Sequence, residues 1–146
     1  MRLEHTIEIE EPIEAVFDFV ADPRNDPRWC PRVTWCRQVE GDGPDVGARF
    51  EALEHPSLRR AQTRVIEVVA VEPPHRAVTR QTDEQGEFVI EYVLRPSPGG
   101  TLLTQRDDVT WTLPRVAVPI GRRIVARHIR DQLGRLKRLL ETPAGA

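Results

Sequence analysis

Polar side chains that could do chemistry interrupt apolar patterns near the end of the chain. His128 and Gln132 are four residues apart on the apolar stripe of a predicted helix, and Gln105 and Asp107 alternate with apolar residues on a predicted strand. In an apolar pocket, His128 or Asp107 could act as a general base that removes a proton next to a ketone. A structural role is also open for each residue, because buried polar groups need hydrogen-bond partners.

Alternate residues of a strand share a parity, which means that they face the same side of the sheet. This pattern adds further candidates. Tyr92 shares the parity of apolar neighbours on its predicted strand, and Arg37 shares the parity of Trp35. Tyr92 or Arg37 could stabilise an enolate oxygen, although Arg37 could instead stack on an aromatic ring or extend to solvent. A few polar groups on apolar walls are typical of small-molecule sites. The predicted cavity residues are Trp35, Arg37, Ile90, Tyr92, Leu94, Leu103, Gln105, Trp111, Gly121, Val125, His128 and Gln132.

The last long segment predicts the helix that must position His128 and Gln132. Spacings of seven, four, seven and four separate Val118, Val125, Ile129, Leu136 and Leu140. These spacings indicate one face of an amphipathic helix over residues 118–140, which would be roughly 34 Å long. The stripe needs an apolar partner surface of similar length. Because Gly121 leaves a gap in the stripe and two polar residues interrupt it, the stripe could line a cavity instead of filling a core.

Segments with alternating or β-branched residues precede this helix and predict strands. The predicted strands cover residues 3–9, 33–40, 48–54, 62–72, 75–82, 87–95 and 101–113. Two short helices are predicted between the first two strands, one beginning at Glu11-Pro12 and one within residues 22–29. Antiparallel strands with helices on one side indicate an α+β fold. We expect one domain over residues 1–141 and a flexible tail at residues 142–146.

Several segments resemble the START-related helix-grip superfamily, which includes the birch-pollen allergens. The similar segments are residues 7–17 (first strand and helix), 20–23 with Trp29 (second helix), 46–50 (third strand), and 92–96 and 99–104 (sixth and seventh strands). Within the superfamily, the chain resembles the polyketide cyclase/dehydrase and lipid-transport branch. The resemblance implies a seven-stranded curved antiparallel sheet wrapped around the long C-terminal helix, two short helices between strands 1 and 2, and an internal cavity. It implies no catalytic motif that can be placed on numbered residues.

Three functions are open for such a chain. The first is binding or transport of a hydrophobic small molecule, such as a lipid, polyketide or isoprenoid, in the internal cavity. The second is a cofactor-independent cyclase or dehydratase of the polyketide type, with His128 or Asp107 as general base. The third is a protein-interaction module such as a chaperone activator, which would have a filled interior and an exposed apolar patch. We favour the first function.

Composition and charge argue against several other classes. The chain has 146 residues, enough for one hydrophobic core, and its net charge of -2 gives no basis for nucleic-acid binding. No apolar run approaches the ~18 residues of a membrane span, so we expect a cytoplasmic protein without stable membrane insertion. The four scattered histidines predict no metal site, and we expect no cofactor. Cys30 and Cys36 are expected to be reduced, and a homodimer is a reasonable expectation.

Overall fold

The alternating segments form one antiparallel sheet in a computed structural model, which describes residues 1–55 and 60–142. Within those residues the strands are β1 (Arg2–Ile9), β2 (Val33–Glu40), β3 (Arg49–Glu54), β4 (Gln62–Glu72), β5 (Arg76–Asp83), β6 (Gly86–Ser97) and β7 (Gly100–Trp111). The helices in the same residues are α1 (Ile13–Val20), α2 (Asp26–Trp29) and α3 (Val118–Glu141), with 3₁₀ turns at Pro23–Asn25 and Arg115–Ala117. Of the predicted tail, residues 143–146 lie outside the described residues.

The predicted helix-grip arrangement is confirmed. In the described part of the chain, seven strands pair in the order β1-β7-β6-β5-β4-β3-β2, and the curved sheet wraps around α3. Strand β6 shows how the sequence produces this sheet. Phe88, Ile90, Tyr92 and Leu94 are buried, and the residues between them are more exposed. Alternation of this kind places one face of the strand on the interior and the other towards solvent.

The terminal helix has different surroundings along its length. Helix α3 has 24 residues, and its buried residues Ile129, Leu133 and Leu136 lie at its middle and in its C-terminal half. These three side chains belong to one core cluster that also contains residues of α1. The part of α3 from Gly121 to Gln132 lies over a cavity, described below. Leu133, which the sequence pattern places beside the stripe, is fully buried.

Helix α1 closes one end of the sheet and corrects two predicted cavity positions. Leu94 and Leu103 are direct partners across β6 and β7. Both are almost completely buried and belong to the same core cluster as Val16 and Phe17 of α1. Leu94 and Leu103 therefore fill the core and are not among the residues that line the cavity. The sequence placed both side chains on the correct face of the sheet. The alternation of residues does not, however, indicate how far along a strand the cavity extends.

Strand β2 reverses the parity that its sequence pattern predicts. The register of the β2–β3 pairing shifts between Val33 and Trp35. Such a β-bulge turns the side chains that follow it to the opposite face of the sheet. Val33 lines the cavity, whereas Trp35 is 37% exposed. The predicted places of Trp35 and Arg37 in the cavity are therefore corrected, because both side chains lie beyond the bulge and face outward.

The segment between α1 and β2 adds a further wall to the cavity. Asp22 caps the first 3₁₀ turn by accepting a hydrogen bond from the backbone N–H of Arg24 at 3.0 Å. The turn leads directly into α2, where Trp29 is fully buried. The ring centroid of Trp29 lies 6.1 Å from that of Tyr92. This packing holds α2 against β6, so that Asp26 faces the cavity.

Candidate functional site

A cavity of about 280 Å³ lies between the sheet and the part of α3 from Gly121 to Gln132. Its volume is close to the lower end of the range of small-molecule sites, about 300–1,000 Å³. Apolar side chains from the sheet and α3 form much of its wall. The lining includes residues singled out from the sequence, namely Ile90, Tyr92, Gln105, Asp107, Trp111, Gly121, Val125, His128 and Gln132. That these residues bind a ligand stays a prediction.

Arg37 takes the alternative role that the sequence left open. Its Nη2 donates a hydrogen bond to Oε2 of Glu51 at 3.0 Å. Its guanidinium carbon lies 5.1 Å from the ring centroid of Trp35, within the range of a cation–π contact. The Arg37 side chain is 67% exposed. Arg37 and Trp35 thus form an outer-face pair and leave the cavity to other residues.

An aromatic ring occupies the gap that Gly121 leaves in the apolar stripe. A Cβ atom at Gly121 would lie 2.5 Å from Cζ3 and 2.7 Å from Cη2 of Trp111. Glycine therefore allows α3 to approach the end of β7 closely. The expected empty space at this position is filled by the indole, which forms part of the cavity wall.

Three polar side chains form a directed chain of hydrogen bonds along the cavity wall. Gln132 on α3 donates from Nε2 to Oε1 of Gln105 at 3.1 Å. Gln105 in turn donates from Nε2 to Oδ1 of Asp107 at 2.9 Å. Gln105 is 1% exposed and Asp107 is 6% exposed. Because an amide can donate only through its nitrogen and accept only through its oxygen, the contacts fix the orientation of Gln105 and hold the Asp107 carboxyl in place.

The surroundings of Asp107 suit proton transfer near neutral pH. Burial raises the pKa of Asp107 to about 6, while the hydrogen bond from Gln105 and the positive charge of Arg64 act in the opposite direction. A general base works best when its pKa is close to the operating pH. At pH 7 the carboxyl group of Asp107 is therefore mostly ionised and remains basic enough to accept a proton.

His128 lines the same cavity but is a weaker base. Burial, and then the positive charge of Arg32, lower the pKa of His128 to about 4. The imidazole ring is consequently neutral at pH 7. A neutral ring can accept one hydrogen bond and donate another. Of the two bases predicted from the sequence, Asp107 has the pKa better matched to neutral conditions.

A buried ion cluster borders the cavity, and the sequence interpretation missed it. The guanidinium of Arg64 donates to Oε1 of Glu54 at 2.6 Å and to Oδ2 of Asp83 at 3.0 Å. It also donates to Oε1 of Gln81 at 3.2 Å. Its guanidinium carbon lies 4.8 Å from the ring centroid of Phe88. One guanidinium on β4 thus organises polar side chains from the two neighbouring strands, β3 and β5, and places a positive charge in this wall.

Strand parity contained the signal for this cluster. Arg64 has the same parity as the buried residues Ile66 and Val68 on β4. Glu54 likewise has the parity of the buried residues Phe50 and Ala52 on β3. Charged residues on the apolar parity of adjacent strands can be expected to pair, since buried charges need partners. The sequence interpretation used strand parity for Asp107 and Arg37 but did not apply it to Arg64 or Glu54.

Asp26 is the second functional candidate that the sequence did not reveal. It lies at the start of α2, in a proline-rich segment that has no periodic pattern. Asp26 lines the cavity, and burial raises its pKa to about 8. Tyr92 faces the same region, and burial raises the pKa of its phenol well above the usual value. Both groups are therefore mostly protonated at pH 7 and can donate hydrogen bonds.

Two other kinds of site were sought in the described residues. Across residues 1–55 and 60–142, no group of three or more His, Cys, Asp or Glu side chains is placed to hold a metal ion. None of the helices in this part of the chain combines the length and the apolar character that a membrane crossing requires. Cys30 and Cys36 are free thiols, both partly buried.

Solved structures of low sequence identity share this fold. Protein MLL2253 from Mesorhizobium loti has a TM-score of 0.74 and 19% identity, with 97% of each chain covered. Protein CV1439 from Chromobacterium violaceum has a TM-score of 0.71 and 19% identity, covering 97% of this chain and 99% of its own. The di-domain ARO/CYC protein StfQ from the steffimycin biosynthetic pathway has a TM-score of 0.76 and 17% identity, covering 99% of this chain and 52% of its own. A search of curated proteins found no match.

The sequence also matches a protein family over nearly its whole length. The family described as "Polyketide cyclase / dehydrase and lipid transport" matches residues 1–141. That range includes every strand and helix of the described residues, and so covers both the sheet and the cavity-lining part of α3. This chain belongs to the polyketide cyclase/dehydrase and lipid-transport family.

Proposed function

We propose that this protein binds and carries an apolar small molecule in the cavity beneath α3. The observation that carries this proposal is the space itself, which has largely apolar walls and a few convergent polar groups. A protein-interaction module would instead have a filled interior. The family description includes lipid transport, and this supports a carrier role.

Two partly exposed apolar side chains mark a route of access for such a ligand. Ile124 of α3 lines the cavity and is also 37% exposed. Leu113, after the end of β7, lines the cavity and is partly exposed as well. Apolar side chains that reach both solvent and the cavity mark an opening through which an apolar molecule can pass. We place the mouth between the β7–α3 connection and the first turns of α3.

Mass spectrometry of small molecules that co-purify with the protein tests the carrier proposal. A neutral fluorescent probe, N-phenyl-1-naphthylamine, provides a parallel binding assay. Val125→Phe adds volume inside the cavity, whereas Val116→Phe makes the same change at a side chain that is 86% exposed. We expect the wild type and Val116→Phe to bind the probe and Val125→Phe to bind it at least about tenfold more weakly. No co-purified molecule and no probe binding in the wild type would contradict the proposal.

A second candidate function is cyclisation and dehydration of a polyketide. The observation that favours it is the hydrogen-bond chain that orients Asp107 within the cavity. In this reaction the Asp107 carboxylate removes a proton from a methylene group between two carbonyls. The resulting carbanion attacks a ketone of the same chain, a carbon–carbon bond forms, and the alkoxide takes the proton back from Asp107. Asp107 then removes the second proton of the former methylene carbon, a carbon–carbon double bond forms, and the hydroxyl group leaves with that proton as water. Tyr92 would donate a hydrogen bond to the enolate oxygen.

Turnover of a poly-β-ketone thioester distinguishes this function from simple binding. Asp107→Asn keeps the shape of the side chain but removes the base, so it should reduce turnover by at least about 100-fold while probe binding is retained. Asp108→Asn is the matched control, because Asp108 is the next residue on β7 and its side chain is 57% exposed. Equal loss of turnover in both variants, or turnover unaffected by Asp107→Asn, would reject Asp107 as the base.

A further inference from the structure

The cavity wall contains more acidic groups than available cations. Asp26, Glu54 and Asp107 all line the cavity. Arg64 also lines it, but its guanidinium already contacts the carboxylates of Glu54 and Asp83. The positive charge of Arg64 is thus shared between Glu54 and Asp83, and among the described residues it makes no direct ion pair with Asp26 or Asp107. The remaining acidic groups lack a buried positive partner of their own.

Arg32 does not supply the missing charge. It lines the cavity as well, but its Nη1 donates to the backbone oxygen of His55 at 3.3 Å, in an exposed contact. His128, which lies near Arg32, is neutral at pH 7 because its pKa is about 4. Neither group therefore balances the carboxyls deeper in the cavity.

Two carboxylate oxygens in this wall have no partner among the described residues. Oε2 of Glu54 is buried and has no hydrogen bond within the described residues. Oδ1 of Asp107 receives the Gln105 amide, while Oδ2 is left for a group inside the cavity. The Asp26 carboxyl and the Tyr92 hydroxyl also line the cavity, but both are mostly protonated at pH 7 and can donate as well as accept a hydrogen bond. The free Oδ2 of the mostly ionised Asp107 carboxylate calls for a donor.

Most of the buried nitrogen donors without a partner belong to residues that do not line the cavity. Trp29 Nε1 and Gln62 Nε2 are unpartnered, but neither residue lines the cavity. Arg64 Nε is unpartnered too, although the same guanidinium already donates to three side chains. An acceptor of an ionised group that faces the cavity and still lacks a donor is Oδ2 of Asp107.

We propose that the ligand is an apolar molecule whose polar end is a hydrogen-bond donor without negative charge. This inference rests on the proposed function. An ammonium group is preferred over a hydroxyl, and a carboxylate is disfavoured. The donor end lies between Asp26 of α2 and Asp107 of β7, and the apolar body lies along Ile90, Val125 and Trp111. A cation here supplies the counter-charge that the wall lacks, because opposite charges interact strongly in a low-dielectric interior.

The titration behaviour of the acidic groups supports this assignment. Burial raises the pKa of Asp26 to about 8 and that of Asp107 to about 6, because the positive charge of Arg64 does not compensate for desolvation. A bound ammonium favours the ionised carboxylates and lowers both pKa values. Binding should then release protons, and affinity should rise as the pH increases from about 6 to about 8. The other groups that face these carboxyls are Asp22, Cys30, Glu54, Tyr92 and His128.

Three probes with the same aromatic body test the proposal directly. They are 1-naphthylmethylamine, 1-naphthylmethanol and 1-naphthylacetate, titrated into the wild-type protein by isothermal titration calorimetry. We expect the amine to bind about tenfold or more tightly than the alcohol, and the carboxylate to bind most weakly. Repeating the amine titration in two buffers of different ionisation enthalpy counts the released protons, and we expect net release at pH 7.

Two pairs of variants locate the site. Asp26→Asn and Asp107→Asn should each weaken amine binding about tenfold or more and affect the alcohol less. Asp18→Asn and Asp108→Asn change exposed carboxylates on α1 and β7 and should leave all affinities unchanged. Carboxylate binding equal to or tighter than amine binding would overturn this inference and leave the proposed function standing. An amine preference that survives both cavity substitutions would also overturn it, and failure of every probe to bind the wild type would overturn the proposed function as well.

Discussion

Gln132 of α3 donates a hydrogen bond to Gln105 of β7 at 3.1 Å, and this contact links the terminal helix to the sheet across the cavity. Because Gln105 also donates to Asp107, the position of α3 and the orientation of the Asp107 carboxyl are coupled. A buried polar chain of this kind is stable only when each member has its partner. The coupling gives the candidate site several measurable properties.

The first prediction concerns the pKa of Asp107. Gln105→Leu removes the hydrogen bond that lowers this pKa, so the pKa of Asp107 should rise further above about 6. The titration of the Asp107 carboxyl carbon, followed by NMR, measures the change. Gln132→Leu leaves the direct bond from Gln105 intact and should have a smaller effect. A pKa in Gln105→Leu that is unchanged or lower than in the wild type would contradict this account.

The second prediction concerns the ion cluster around Arg64. Arg64→Met leaves the carboxylates of Glu54 and Asp83, which are 11% and 0% exposed, without their cation. Loss of one partner from a buried pair typically costs about 3–5 kcal/mol of unfolding free energy. Urea denaturation measures this loss, and adding Glu54→Gln to Arg64→Met should recover part of it. Arg37→Met, on the outer face, should cost no more than about 1 kcal/mol, and a similar cost for both arginine variants would argue against a buried cluster.

The third prediction concerns the close approach of Gly121 and Trp111. Gly121→Ala places a methyl group 2.5 Å from the present position of the Trp111 ring, so the ring must move. We expect a cost of about 1–3 kcal/mol, a shift in tryptophan fluorescence and weaker binding of N-phenyl-1-naphthylamine. Gly134→Ala lies in the same helix, and its nearest neighbour atom is the flexible end of Arg138 at 3.5 Å. That control should stabilise the helix by up to about 1 kcal/mol. Unchanged fluorescence and stability in Gly121→Ala would show that the contact is not tight.

The fourth prediction concerns the pH dependence of stability. Burial lowers the pKa of His128 to about 4 in the folded state, whereas an unperturbed histidine has a pKa of about 6.5. The contribution of His128 to the unfolding free energy is therefore fully present above pH ~6.5 and is lost as the pH falls through about 4.

His128→Gln removes this contribution, so the wild type should lose stability relative to the variant between pH 7 and pH 4. Urea denaturation at a series of pH values measures the difference. His75→Gln, which alters an exposed histidine, is the matched control in the same measurement. A difference between the wild type and His128→Gln that stays constant across this pH range would mean that His128 is not desolvated.

Much of the fold could be predicted because its signals are local. The alternation in residues 87–95 and the helical spacing in residues 118–140 predicted β6 and α3 to within two residues at most of their ends. Prolines and glycines between the segments marked the turns. Periodicity of this type reflects how successive side chains leave a helix or strand, and it does not depend on the rest of the protein.

The candidate site was predicted less completely, for reasons that individual residues show. Trp35 and Arg37 were placed inside because the bulge after Val33 leaves no mark in the alternation of the sequence. Asp26 was missed because its segment has no period from which a facing direction can be inferred. In each case, pairing register or packing between distant segments decides where the side chain points.

By itself, the sequence determined the order of strands and helices, the amphipathic character of α3 and the polar residues available to the interior, because each depends on residue type and short-range spacing. Only the tertiary structure decided that Gln132, Gln105 and Asp107 form one hydrogen-bond chain. It also decided that Arg64 serves two carboxylates and that the Trp111 ring fills the gap at Gly121. Such contacts join residues far apart in the chain, and their distances depend on register, bulges and sheet curvature.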